Sequence, residues 1–96
     1  MIADRRTFVV KVGKTEEVIE QIKKAVEFSP FKPTYRIYTP HFSNFDEVIL
    51  EIEFKDLAEF DRNWTAWMQK ATPGWWADWN SLTENGGRAE SYNLVL

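Results

Sequence analysis

The sequence contains no cysteine. That excludes disulfides, thiolate metal sites and a cysteine nucleophile. Histidine occurs once, at His41. A zinc-type site would need several carboxylates around it at a ligand spacing, and no such spacing is visible. A basic surplus is also missing: 12 Lys and Arg stand against 15 Asp and Glu, for a net charge of −3. Without a basic cluster, the electrostatic footprint of a nucleic-acid binder is absent. No apolar run reaches the length of a membrane span. The opening segment MIADRRTFVV has two arginines but no long apolar stretch and no cleavage pattern. No signal peptide is therefore expected, and the expected compartment is the cytoplasm. Nucleophile elbows, phosphate-binding loops and dinucleotide fingerprints do not occur.

What is abundant is aromatic surface. The chain has 96 residues, the size of one domain spanning positions 1–96, and it carries five Trp, three Tyr and seven Phe. That is more bulky apolar area than so small a monomer easily hides, so part of it is expected to meet a second subunit.

The clearest pattern runs from Phe45 to Lys70. Val48, Leu50, Ile52 and Phe54 fall at every second position, the period of a half-buried strand. Leu57, Phe60, Trp64, Trp67, Met68 and Ala71 then fall at three- and four-residue steps, the period of an amphipathic helix. Asp56 is placed to cap that helix, and Glu59 completes a capping-box spacing.

The rest of the chain follows the same logic. Residues 1–5 read as a loosely held terminus, and Arg6 to Val12 as the first strand. Thr15 is a suitable N-cap for a helix over Glu16 to Phe28, which Ser29-Pro30 ends. Thr34 to Thr39 is a second strand, and residues 40–44 are a loop. After the central strand and helix, Trp75 to Leu82 forms a shorter helix. Glu84-Asn85-Gly86-Gly87 reads as a turn, and Arg88 to Leu96 as the last strand. The order β-α-β-β-α-β predicts a ferredoxin-like α+β fold, a four-stranded antiparallel sheet with two long helices on one face.

Alternation also assigns the faces. Phe8/Val10/Val12, Tyr35/Ile37/Thr39, Val48/Leu50/Ile52/Phe54 and Tyr92/Leu94/Leu96 are expected under the helices. Thr7, Val9, Lys11, Arg36, Tyr38, Ile49, Glu51, Glu53, Ser91, Asn93 and Val95 are expected on the opposite face. A free sheet face normally reads as polar. Val9, Tyr38, Ile49 and Val95 predict that this one is covered. The same element order occurs in RNA-recognition domains, but their third strand carries exposed aromatic and basic residues. Here it reads DEVILEIEF, acidic and aliphatic.

The segment Glu51-Ile52-Glu53-Phe54 followed by Leu57-Ala58-Glu59-Phe60 resembles a recurring strand-to-helix piece of small dimeric α/β-barrel proteins, near the NIPSNAP-like and antibiotic-biosynthesis-monooxygenase-like groups. The order of elements over residues 6–96 is similar to theirs too. The resemblance implies that two subunits join their open sheet faces into a barrel, and that ligands bind inside it or between sheet and helices. It implies activities ranging from cofactor-free oxygenation and haem chemistry to isomerisation or none. No histidine falls on a predicted helix to hold haem, so no cofactor is expected. Fold alone does not select among these activities.

Three groups of residues are candidates for a site. Imidazole is the side chain suited to proton transfer near neutral pH, so His41, just past the second strand, is a candidate base beside a simpler reading as a solvated loop residue. Glu51 and Glu53 share a strand face with Lys11 and Arg36. There a desolvated carboxylate becomes a base, or the charges form an ion-pair lattice at an interface. The tryptophans either build core and interface or line a flat hydrophobic pocket, where an indole N–H needs a partner. The catalytic candidates are thus His41, Tyr38 and Glu51. The ligand-binding candidates are Tyr38, Glu51, Glu53, Trp64, Trp76 and Asn93. The functional readings are a homodimer binding a small hydrophobic or aromatic ligand, a cofactor-independent monooxygenase on the same scaffold, and a non-catalytic assembly module.

Overall fold

The structure, a computed structural model, describes residues 1–41 and 46–95. The elements follow as β1 (Ile2–Val10), α1 (Thr15–Phe28), β2 (Tyr35–Tyr38), β3 (Glu47–Phe54), α2 (Leu57–Lys70), α3 (Pro73–Leu82) and β4 (Thr83–Asn93). The strands form one antiparallel sheet in the order β2-β3-β1-β4. This is the expected ferredoxin-like α+β arrangement, with α3 as a third helix before the last strand.

The starts of α2 and α3 carry side-chain caps, whereas the cap expected for α1 does not form. Asp56 accepts a hydrogen bond from the Glu59 N–H at 2.8 Å, and the Glu59 carboxylate accepts one from the Lys55 N–H at 3.0 Å. Thr72 accepts from the Trp75 N–H at 3.1 Å and so caps α3, which begins at Pro73, two residues before the predicted start. Proline suits a first helical turn because its missing N–H would have had no partner there. Thr15 is already helical; the cap position is Lys14, whose side chain makes no capping bond.

Cross-strand neighbours share a sheet face, so the register assigns every side. Val10 and Val48 from the two central strands join Val18 and Ile22 of α1 in the buried core, with Phe8, Ile37, Leu50, Trp79 and Leu82 packed against it. Phe8 meets Trp79 edge-on at 4.7 Å. Each large aliphatic side chain buried this way contributes roughly 1.5–3 kcal/mol. The core thus sits at the end of β1 and the start of β3, under α1 and α3.

Four expectations are corrected. The first strand begins at Ile2 rather than Arg6, because residues 2–5 pair with both β3 and β4. It also ends at Val10, and Val12 is exposed instead of packed under a helix. Residues 84–87 do not make a turn but lie within β4. Thr7 pairs with Arg88 and Val9 with Glu84, so Phe8 alone faces Asn85, Gly86 and Gly87 across the strands. This is a bulge, and Gly86 takes the positive φ (108°) it requires. Finally, β4 presents the opposite face to the one expected. Ser91 pairs with Asp4 and bonds to it on the helix side, whereas Tyr92, beside Arg5, lies on the open side and is 44% exposed. Apolar content misleads on this edge strand because its helix side borders a part of the interior that carries charge. The expectations for loop residues 42–44, for Phe45 and for Leu96 fall outside the described residues.

Candidate functional site

Between the sheet and the three helices lies a cavity of about 290 Å³. Its floor is the helix face of β1 and β3, and its walls come from α1, α2 and α3. All five tryptophans line it. Their spacing explains how. Trp64 and Trp67 are one helical step apart on α2, and Trp75 and Trp79 are one turn apart on α3. Trp64 stacks on Trp67 at 5.7 Å, Trp67 meets Trp75 edge-on at 5.1 Å, and Trp75 stacks on Trp79 at 5.4 Å. Trp76 meets both Trp67 and Trp75 edge-on.

The indole N–H groups tie this wall to α1. The Trp75 indole donates to the Gln21 carbonyl at 3.1 Å, and the Gln21 side-chain amide donates back to the Trp75 carbonyl at 3.1 Å. The Trp67 indole donates to the Ala25 carbonyl at 3.1 Å. That carbonyl belongs to the last turn of α1, where backbone oxygens lack helical partners. Trp67 and Trp75 are therefore fixed in orientation as well as position.

Polar groups gather along one part of the wall. Arg6 donates through Nε to Asp4 at 2.9 Å, and Ser91 donates to the other Asp4 oxygen at 3.1 Å. The guanidinium lies 4.9 Å from the Trp64 ring and 6.0 Å from that of Phe60. Asn63, on α2, is 8% exposed, and its side-chain carbonyl has no hydrogen-bond partner among the described residues. A buried polar atom without a partner is uncommon in folded proteins, and it asks for a donor.

The opposite sheet face carries an ion-pair network. Arg5 donates to Glu51 through Nε at 3.1 Å and Nη2 at 2.6 Å. Arg36 donates to Glu53 at 2.8 Å and stands 3.5 Å from Glu51. The Tyr38 hydroxyl donates to Glu51 at 3.3 Å. Arg88 and the Tyr92 hydroxyl both donate to Glu90, at 3.1 and 2.8 Å. The Arg5 hydrogen bond, above all, holds the Glu51 carboxyl below the usual carboxylate range, with Tyr38 and Arg36 adding to it. Neighbouring side chains cover Glu51 thinly on an otherwise open face, so desolvation opposes that shift without reversing it. The Tyr92 hydrogen bond, followed by that from Arg88, lowers Glu90 in the same way.

The predicted site residues therefore separate onto two faces. Trp64 and Trp76 line the cavity. Tyr38, Glu51 and Glu53 belong to the open-face network, where Arg5 takes the role expected of Lys11. Asn93 pairs with Ile2 at the edge of the helix side and is exposed. His41 is exposed beyond the end of β2. Sequence reading missed Asp4, Arg6 and Asn63. For Asn63 a signal existed, a polar residue one position from Trp64 on the apolar stripe of α2. For Asp4 no local signal separates strand from frayed terminus, and Arg6, although within the expected strand, is a charge whose place among the cavity-lining apolar residues no local pattern shows.

No protein-family model matches the sequence, and no curated protein matches it. Solved structures do. An uncharacterised NIPSNAP domain protein from Burkholderia xenovorans superposes with a TM-score of 0.75 at 14% identity, covering 99% of this chain and 95% of its own. A NIPSNAP family protein from Agrobacterium tumefaciens gives 0.73 at 11%, over 98% and 85%. An antibiotic biosynthesis monooxygenase gives 0.66 at 16%, over 100% of both chains. At such identities the likeness is one of fold, and it agrees with the superfamily that the sequence resembles. No helix among the described residues is long and apolar enough to cross a membrane.

Proposed function

We propose that this chain is a homodimeric binding protein that holds a small aromatic or hydrophobic ligand between its sheet and its helices. The observation that carries the reading is the convergence of five tryptophans on a cavity with one orphaned acceptor, the Asn63 carbonyl. At about 290 Å³ the cavity lies near the lower end of small-molecule pockets, roughly 300–1,000 Å³. Aromatic walls favour a flat ring, by stacking and edge-to-face contact. A ligand O–H or N–H facing Asn63 relieves an unmet bond that otherwise costs about 1–3 kcal/mol.

The homodimer rests on the open sheet face. Val9 and Ile49 lie there beside paired charges, and Tyr38 is 41% exposed. Two four-stranded sheets joined through these faces make an eight-stranded barrel, a size whose interior side chains can fill. Tyr38, Glu51 and Glu53 then lie inside the barrel.

Native mass spectrometry of the protein as purified, with tryptophan fluorescence during titration of flat aromatic compounds, tests the binding. A retained small molecule or saturable quenching is expected, and Ala25→Phe, which fills the cavity, is expected to remove it. Quenching that survives Ala25→Phe would place the ligand elsewhere.

The structural likeness to an antibiotic biosynthesis monooxygenase favours one second reading, cofactor-independent oxygenation of the bound ligand. Oxygen consumption on mixing protein and ligand separates it from simple binding.

A further inference from the structure

We propose that the pocket selects aromatic ligands bearing an anionic carboxylate, and that Arg6 is the group that recognises it. The inference rests on the reading that the cavity takes a small aromatic ligand, and it adds that ligand's charge and the residue that reads it.

Arg6 is an uncommon wall for such a cavity. It lies on the helix side of β1, with Phe8 and Leu50 as neighbours in the lining. Its Nε is committed to Asp4 at 2.9 Å. Neither Nη amino group makes a hydrogen bond among the described residues. A guanidinium has two edges that suit a carboxylate, and here one is held while the other is open. Arg36 of the same molecule shows that one guanidinium serves two carboxylates, standing 2.8 Å from Glu53 and 3.5 Å from Glu51.

Asp4 orients Arg6 without exhausting it. Both Asp4 oxygens are engaged, one by Arg6 and the other by Ser91, in a side chain that is 6% exposed. The Trp64 ring, 4.9 Å from the guanidinium carbon, restrains the group from the side. Such preorganisation lowers the ordering cost of binding.

Exposure then sets the ligand's direction. The Arg6 side chain is 30% exposed and Trp64 41%, so the cavity meets water beside them. Trp67, Trp75 and Trp79 lie deeper. A ligand with its ring among these three and its carboxylate at Arg6 buries its apolar part and keeps its charge partly hydrated. A cationic ligand gains nothing there, because Asp4 has no free oxygen and Arg6 repels it. A neutral ring leaves the open guanidinium edge to water.

The test compares 2-naphthoate with 2-naphthamide, a neutral analogue of nearly the same shape, by calorimetry and tryptophan fluorescence at neutral pH. The acid is expected to bind roughly tenfold or more tightly than the amide, the scale of a charge-assisted pair. Arg6→Gln is expected to abolish that preference while the amide still binds, and Arg6→Lys to restore part of it. Asp4→Asn removes the competing negative charge but keeps a side-chain oxygen to accept from Arg6 Nε, so it is expected to tighten the acid alone. This variant keeps the test decisive if Arg6→Gln does not fold. Equal binding of acid and amide, or a preference unmoved by Arg6→Gln, overturns the role of Arg6 and leaves the aromatic pocket standing. Failure of both compounds to bind at millimolar concentration overturns the pocket reading and this inference with it.

Discussion

Arg5 and Glu51 face each other across the β1–β3 pair, and two guanidinium nitrogens of Arg5 converge on a single Glu51 oxygen, at 3.1 and 2.6 Å. Glu51 is 7% exposed, yet its partner's side chain is 41% exposed. The pair is therefore half-shielded, and salt weakens its contribution.

Its pH dependence follows from direction. A carboxylate whose native pKa is depressed adds stability above its unfolded value, about 4.3 for Glu, and loses it as the pH falls through the native value. Glu51 is depressed, with the Arg5 hydrogen bond as the first cause. Glu51→Gln is expected to cost about 1 kcal/mol at neutral pH. The gap to the wild type should shrink as the pH drops below about 4. Urea unfolding across an acid series measures this, and a gap independent of pH would count against the pairing.

Ile49 lies on the same face, opposite Thr7 and Tyr38 in the register. In the proposed homodimer, Ile49→Lys places an unpaired charge between two sheets, a costly burial. Sedimentation at micromolar concentration is expected to show the wild type as a dimer and the variant as a monomer. A monomeric wild type would remove the basis for the barrel.

Gly87 and Gly13 make a matched contrast. A Cβ on Gly87 would collide with the carbonyl oxygen of Thr7, a backbone atom that cannot swing away. Gly13 has a φ of 77° but open space around it. Gly87→Ala is expected to cost about 2 kcal/mol or more, as overpacking against a rigid neighbour does. Gly13→Ala is expected to cost roughly 1 kcal/mol for its left-handed backbone alone. Thermal unfolding of the two variants orders them, and equal losses would place the strain elsewhere than the bulge.

In the proposed pocket, Asn63 would trade stability for a ligand contact. Replacing a buried, unpartnered amide with a hydrocarbon of similar shape is neutral or stabilising. Asn63→Leu is expected to hold or raise the melting temperature while weakening any ligand that donates a hydrogen bond at this position. A large loss of stability would show that the amide serves the fold instead.

Much of the architecture is legible from local pattern. The switch from a two-residue to a 3.6-residue period at Lys55-Asp56 marks the end of β3 and the start of α2, and the Asp56–Glu59 pair closes as its spacing predicts. These signals involve residues a few positions apart, so they survive without knowledge of the rest of the chain. The edge strand is different. Its Asn85-Gly86-Gly87 run has the composition of a turn, but β1 lies beside it, and pairing on both sides makes it a bulge. No pattern within β4 shows that Ser91 faces Asp4 or that Tyr92 lies beside Arg5.

By itself, the sequence determined the elements, their order and the Val48–Leu50–Ile52–Phe54 core face, because periodicity and capping are local physics. Tertiary structure decided the site. Asp4 and Ser91 meet only when β1 and β4 pair, Trp67 reaches Ala25 only when α2 packs beside α1, and Asn63 joins Asp4 in the cavity lining only once the helices lie on the sheet. A hydrophobic period specifies which side of an element is buried; what meets it there depends on contacts between distant segments.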